Sequence, residues 1–169
     1  MPSDPTSAAR TTVEVAVGDL ADPAVRRLLE EHLADMHATS PPESVHALDH
    51  EELADPSLSF WTATVDGEVL GCAGLKELAA TAGEVKSMRT SHGARGRGVA
   101  TELLRHVVAQ ARSRGYTDLF LETGTGDFFA PAHRLYRRHG FRDCPPFGDY
   151  VLDPHSVFMT LSLTAHGPA

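Results

Sequence analysis

Val13, Val15 and Val17 alternate with other residues along Thr12–Val17, which predicts a strand. An apolar stripe at helical spacing follows: Val25, Leu28, Leu29, Leu33 and Met36 share one face. Asp22 is placed to cap that helix and Pro23 to open it. Ser40-Pro41-Pro42 breaks it, because proline lacks the N–H that a further turn needs. A second helix is predicted from about Glu43 to Ala54 on the strength of Val45, Leu48 and Leu53. Asp55-Pro56 ends it.

The pattern then changes to strands. Leu58–Val65 and Val69–Leu78 flank Asp66-Gly67, a hairpin turn signal. Ala79–Gly83 reads as a connection and Glu84–Thr90 as the next strand. From Val99 to Arg114 a helix buries Leu103, Leu104, Val107, Val108 and Ala111, with Gly115 as its stop. Leu119–Thr123 is a strand, and Gly124-Thr125-Gly126 a loop. A helix from about Pro131 to His139 turns Leu135 and Tyr136 inward and ends at Gly140. Phe141–Asp143 and Val157–Leu163 close the chain as strands. The order β-α-α-β-β-β-α-β-α-β-β predicts an α/β (α+β) fold: an antiparallel meander, then a β-α-β crossover, in one mixed sheet covered by helices.

At 169 residues the chain suits one domain with its own core. Residues 1–10 read as a disordered lead and 11–164 as the domain. The lead has no apolar stretch of a signal peptide, and no run is long enough to span a bilayer, so a cytoplasmic location is expected. A net charge of −8 argues against nucleic acid as a partner; it mildly favours a cationic or amine substrate, but a solvated acidic surface explains it more readily. Cys72 sits in an apolar run and reads as a core residue; Cys144 has no activating partner in view. The pairs His32/His37 and His46/His50 have no third ligand beside them, so the histidines read as surface residues and no metal is expected.

Candidate chemistry centres on Arg95-Gly96-Arg97-Gly98-Val99-Ala100, between a strand and a helix start. Such a turn exposes N–H groups that lack helical partners, at the positive end of the helix dipole. That suits a pyrophosphate. No Lys-Ser or Lys-Thr follows, which excludes a P-loop, and Thr101 stands where a dinucleotide fingerprint needs its third small residue.

The string fits [Q/R]-x-x-G-x-[G/A], the pyrophosphate loop of the GNAT superfamily of N-acetyltransferases, with Arg95, Gly98 and Ala100 in the defining positions. Tyr136-Arg137-Arg138-His139-Gly140-Phe141 is similar to the superfamily's Y-x-x-x-G-F signature, and Glu84 lies where some members place a catalytic glutamate. This resemblance spans roughly Val13 to Leu163. It implies a single-domain GNAT fold whose Glu84–Thr90 and Leu119–Thr123 strands splay apart. Acetyl-CoA, as co-substrate, would lie in the gap, on Met88, Arg89 and Thr90 and on the turn Arg95, Gly96, Arg97, Gly98, Val99 and Ala100. Arg137 or Arg138 would be placed near the adenosine phosphate.

The implied activity is transfer of an acetyl group to a primary amine of a small molecule, amino acid or peptide by direct attack. Tyr136 would be the acid at the sulfur and Glu84 the base, directly or through a water. Glu122, Thr123, Phe147, Asp149 and Tyr150 would shape the acceptor pocket. Phe129 replaces an Asn that many members carry seven residues before the tyrosine, so one contact to the pantetheine arm is absent or replaced. A homodimer is the assembly that the superfamily suggests. The competing readings are a non-catalytic acyl-CoA sensor, a protein-lysine acetyltransferase and a dinucleotide oxidoreductase.

Overall fold

The computed structural model describes residues 12–94 and 96–164. The expected disordered lead and Arg95 therefore lie outside the described residues. A seven-stranded sheet runs in the order β1-β2-β3-β4-β5-β7-β6. Its strands are β1 Glu14–Val17, β2 Leu58–Val65, β3 Glu68–Ala79, β4 Ala82–Thr90, β5 Asp118–Gly124, β6 Arg142–Asp143 and β7 Ser156–Ser162. Every neighbouring pair is antiparallel except β4 and β5, which run parallel. The helix α3, Val99–Ser113, makes the crossover that a parallel pair requires.

Two cores lie on opposite faces. On one, Val99, Leu103, Leu104, Val107 and Ala111 of α3 pack with Leu75, Val85, Leu119 and Met159 of the sheet and with Leu135 and Tyr136 of α4, Ala130–Arg138. On the other, Val25, Leu28 and Leu29 of α1, Pro23–Thr39, pack with Leu58, Phe60 and Cys72. The caps follow the sequence. Asp22 accepts from the Ala24 N–H at 2.9 Å, Gly115 stops α3 in the left-handed region at φ 79°, and Asp66-Gly67 turns the β2–β3 hairpin with both φ positive.

Two expectations are corrected. Instead of one helix over 43–54 there is a 3₁₀ turn at Pro42–Ser44, an extended stretch, and a short α2, His50–Leu53. Asp49 explains the late start: with Glu52 it forms a capping box, so the helix begins after it. Ser44 is buried and donates to Asp153 at 2.6 Å, which holds the extended stretch against the β6–β7 loop. The expected connection at Ala79–Gly83 shortens to Ala80 and Thr81, since β3 and β4 extend into it as a hairpin.

β4 and β5 pair only at Ala82–Asp118, Gly83–Leu119 and Glu84–Phe120. Beyond Glu84 the strands part. β4 also carries a bulge: Arg89 pairs Cys72 and Lys86 pairs Gly74, which leaves one extra residue on β4, and Ser87 takes φ 52° there. The backbone of β4 from Val85 onward thus has no ladder partner on its β5 side.

Candidate active site

The parted strands open a cavity of about 610 Å³. Met88, Arg89 and Thr90 line it from β4, and Gly96, Gly98, Val99, Ala100 and Thr101 line it from the turn into α3. Gly96 and Gly98 adopt φ 79° and 78°, the left-handed conformation that only glycine takes without strain. Gly98 caps α3 without any side-chain bond, so the first N–H groups of the helix stay available. Arg97 is exposed and does not line the cavity, whereas Arg138 does. Arg137 pairs with Asp143 at 3.2 Å.

Tyr136 lines the cavity from α4 and is 6% exposed. Burial, aided by the charge of Glu122, pushes its pKa well above the usual phenol range. Glu122 lines the same cavity from β5. Burial raises its carboxyl to about 7, against the weaker opposing pulls of the Ser156 hydroxyl and then of Lys86. The sequence marked Glu122 as a pocket wall; its environment gives it the proton affinity of a base working near neutrality. Thr123 lines the cavity beside it.

Glu84 is 2% exposed and does not line this space. It accepts from Tyr150 Oη at 2.7 Å and pairs with Lys86 Nζ at 3.2 Å. Lys86 Nζ also donates to Tyr150 Oη at 2.9 Å and to the His46 carbonyl at 3.1 Å. Tyr150 therefore ties Glu84 to Lys86 and does not line the cavity. Phe147 stacks within this layer, 4.9 Å from Phe120 and 5.0 Å from Tyr150, and Asp149 is exposed outside it.

Sequence reasoning missed the α1 side of the cavity. His32 and Met36, then Ser40, Ser44, Val45, His46 and Ala47, line it. The surface reading of the histidines fails at His32, which is 8% exposed. It continues the buried stripe of Val25, Leu28 and Leu29, and its position on that stripe was the available signal. Phe129, at the position of the missing Asn, is buried and packs so tightly on Gly124 that a Cβ there would lie 2.2 Å from its ring. Cys72 fills the core as expected, its thiol pushed up to about 12 by burial.

The sequence pattern of the Acetyltransferase (GNAT) family matches residues 25–141. The chain belongs to that family. It is 47% identical over 151 residues to the uncharacterized N-acetyltransferase YsnE of Bacillus subtilis (strain 168), covering 89% of this chain and 100% of the relative. It is 40% identical over 140 residues to the IAA acetyltransferase of Azospirillum brasilense, covering 80% and 88%. Among solved structures, a GNAT acetyltransferase from Elizabethkingia anophelis with acetyl-CoA bound superposes with a TM-score of 0.62 at 16% identity, covering 89% of this chain and 97% of that one. The chain is thus an acetyl-CoA-dependent acetyltransferase of the GNAT fold. The parted β4 and β5 and the turn at Gly98 line one part of the cavity, and α1 with the 40–47 stretch lines another.

Proposed function

We propose that this enzyme acetylates the primary amine of a small molecule, amino acid or peptide N-terminus by direct attack on acetyl-CoA. The observation that carries this reading is the pairing, in one cavity, of Glu122 with a carboxyl near pH 7 and Tyr136 with a strongly held proton. The N–H groups at the start of α3 hold the pyrophosphate. The unpaired β4 backbone from Val85 to Thr90 receives the pantetheine arm as an added strand, with the Met88 N–H at the thioester carbonyl.

The acceptor arrives as an ammonium, with an ordinary pKa of ~10.4 for a lysine-like amine. It gives a proton to Glu122, and the freed lone pair attacks the carbonyl carbon. The N–C bond forms, the C–S bond breaks, and its electron pair leaves on sulfur. Tyr136 stays neutral over the working range and donates to that sulfur as charge develops. The nitrogen of the new C–N bond passes its second proton to Tyr136, which regains the one it gave to sulfur; coenzyme A leaves as the thiol, and Glu122 returns its proton to water. Glu84, read from the sequence as the base, serves in this scheme by fixing Lys86 and Tyr150 below the acceptor. No helix among the described residues is long and apolar enough to cross a membrane. The proposed setting is the cytoplasm, with a homodimer as the assembly to test by light scattering.

Calorimetric titration with acetyl-CoA, with NAD as control, followed by coenzyme A release across an amine panel, tests the function. Binding of acetyl-CoA alone and amine-dependent release support it. Binding without release from any amine would favour the sensor reading instead.

A further inference from the structure

The cations that line the cavity from β4 are matched within the protein itself. Lys86 Nζ pairs with Glu84 at 3.2 Å and donates to Tyr150 Oη and to the His46 carbonyl. Arg89 is held by Glu31 at 2.5 Å and Asp35 at 2.6 Å. Both cations are nearly inaccessible, at 9% and 5% side-chain exposure. A charge already paired and out of water offers little to a further anion. Arg138, exposed on α4, is the remaining cation on the described lining, and the acetyltransferase reading gives it to the cofactor phosphates.

The histidines add no charge. Burial brings His32 down to about 4. Burial, and then the Lys86 cation, also lowers His46, so both rings are neutral near pH 7. Ser44 spends its hydroxyl on Asp153 at 2.6 Å. The rest of this wall is largely apolar: Met36 comes from α1, Val45 and Ala47 from the 40–47 stretch, and Val85 from β4. Glu122 is the one carboxylate on the described lining. Lys86 connects it to the wall, because its Nζ grips the His46 backbone at 3.1 Å while its charge is felt at Glu122. The acceptor part of the cavity therefore combines one place for an ammonium with a neutral, mostly apolar surround.

We infer that the acceptor is a primary monoamine on an uncharged, apolar body: its ammonium meets Glu122, and Met36, Val45, Ala47 and Val85 cover the remainder. This rests on the acetyltransferase reading above and narrows it. A free amino acid brings a carboxylate to cations that are already paired. A polyamine brings a further ammonium to a lining with no second carboxylate among the described residues. Either charge would be stripped of water without a partner, which is costly.

The test compares matched acceptors. Coenzyme A release is measured with hexylamine, with the same chain ending in a second ammonium, and with the same chain ending in a carboxylate. Phenethylamine against phenylalanine repeats the last comparison on a ring. The monoamines are expected to exceed their doubly charged counterparts by about 10- to 100-fold in kcat/KM, the range for stranding a polar or charged group. Equal or faster turnover of the diamine or of the amino acids overturns this inference and leaves the acetyltransferase reading standing. If neither monoamine is turned over, this inference falls; if the wider amine panel also gives no release with acetyl-CoA bound, the acetyltransferase reading falls with it. Met36→Glu places a second carboxylate on the wall and is expected to raise the diamine-to-monoamine ratio about tenfold, with the acetyl-CoA KM unchanged. If that variant fails to fold, Val45→Glu and the wild-type comparison still decide. An unchanged ratio in both folded variants removes this wall from acceptor selection and overturns the inference.

Discussion

Tyr150 donates its phenol proton to Glu84 at 2.7 Å, across 66 residues of chain, and accepts from Lys86 at 2.9 Å through the same oxygen. Glu84 and Lys86 are nearly inaccessible, at 3% and 9% side-chain exposure. A buried ion pair is tolerated when further hydrogen bonds satisfy it, and Tyr150 provides one to each partner. Tyr150→Phe is therefore expected to cost about 1–3 kcal/mol. For a chain of this size that corresponds to a fall in Tm of roughly 2–12 °C, read by calorimetry. An unchanged Tm would show that water replaces the hydroxyl without loss.

Glu122 supplies a pH dependence whose sign follows from its burial. The carboxyl is raised to about 7, so below that pH it is protonated and cannot accept from the ammonium. Activity should rise with pH through about 7 and then level as far as Glu122 is concerned. Glu122→Gln should lower kcat about 100- to 10,000-fold, the span of general base contributions, and abolish that limb. A variant that keeps the limb would assign it to another group.

Tyr136→Phe removes the donor proposed for the sulfur and leaves the ring packed against Phe141, 5.7 Å away between centroids. The expected result is a fall in kcat of about 10- to 1,000-fold with acetyl-CoA affinity little changed. Stopped-flow single turnovers would place the loss in chemistry. Wild-type kcat in the variant would take Tyr136 out of the proton path.

Gly98→Asp combines two faults. The position has φ 78°, which strains any side chain bearing a Cβ, and the new carboxylate would stand at the proposed pyrophosphate site. Acetyl-CoA binding should weaken at least about 100-fold by calorimetry. Binding at wild-type strength would place the pyrophosphate elsewhere.

Much of this architecture was legible in the chain itself. The period-two runs gave the strands, the stripe in 99–113 gave α3, and Asp66-Gly67, Gly115 and Gly140 gave the turns and stops, because these are local demands on backbone and side-chain direction. The turn at Gly96 and Gly98 and the placement of Tyr136 belong to the same class: each depends on a few residues close in sequence. The helix expected over 43–54 failed for one non-local reason and one local one: Ser44 is bound to Asp153, 109 residues away, and the capping box of Asp49 with Glu52 starts α2 late.

The α1 side of the cavity was decided by tertiary structure alone. Proton affinity depends on what surrounds a carboxyl, and only the folded sheet shows that Glu122 is desolvated in the cavity while Glu84 is tied to Lys86 and Tyr150. The same holds for His32 and Arg89, whose residue types suggest surface and whose positions under α1 make them buried. The sequence by itself determined that this chain folds as a GNAT and where its glycine turn into α3 lies. Long-range packing determined which of its polar groups lose their water, and with that which of them can act on an amine.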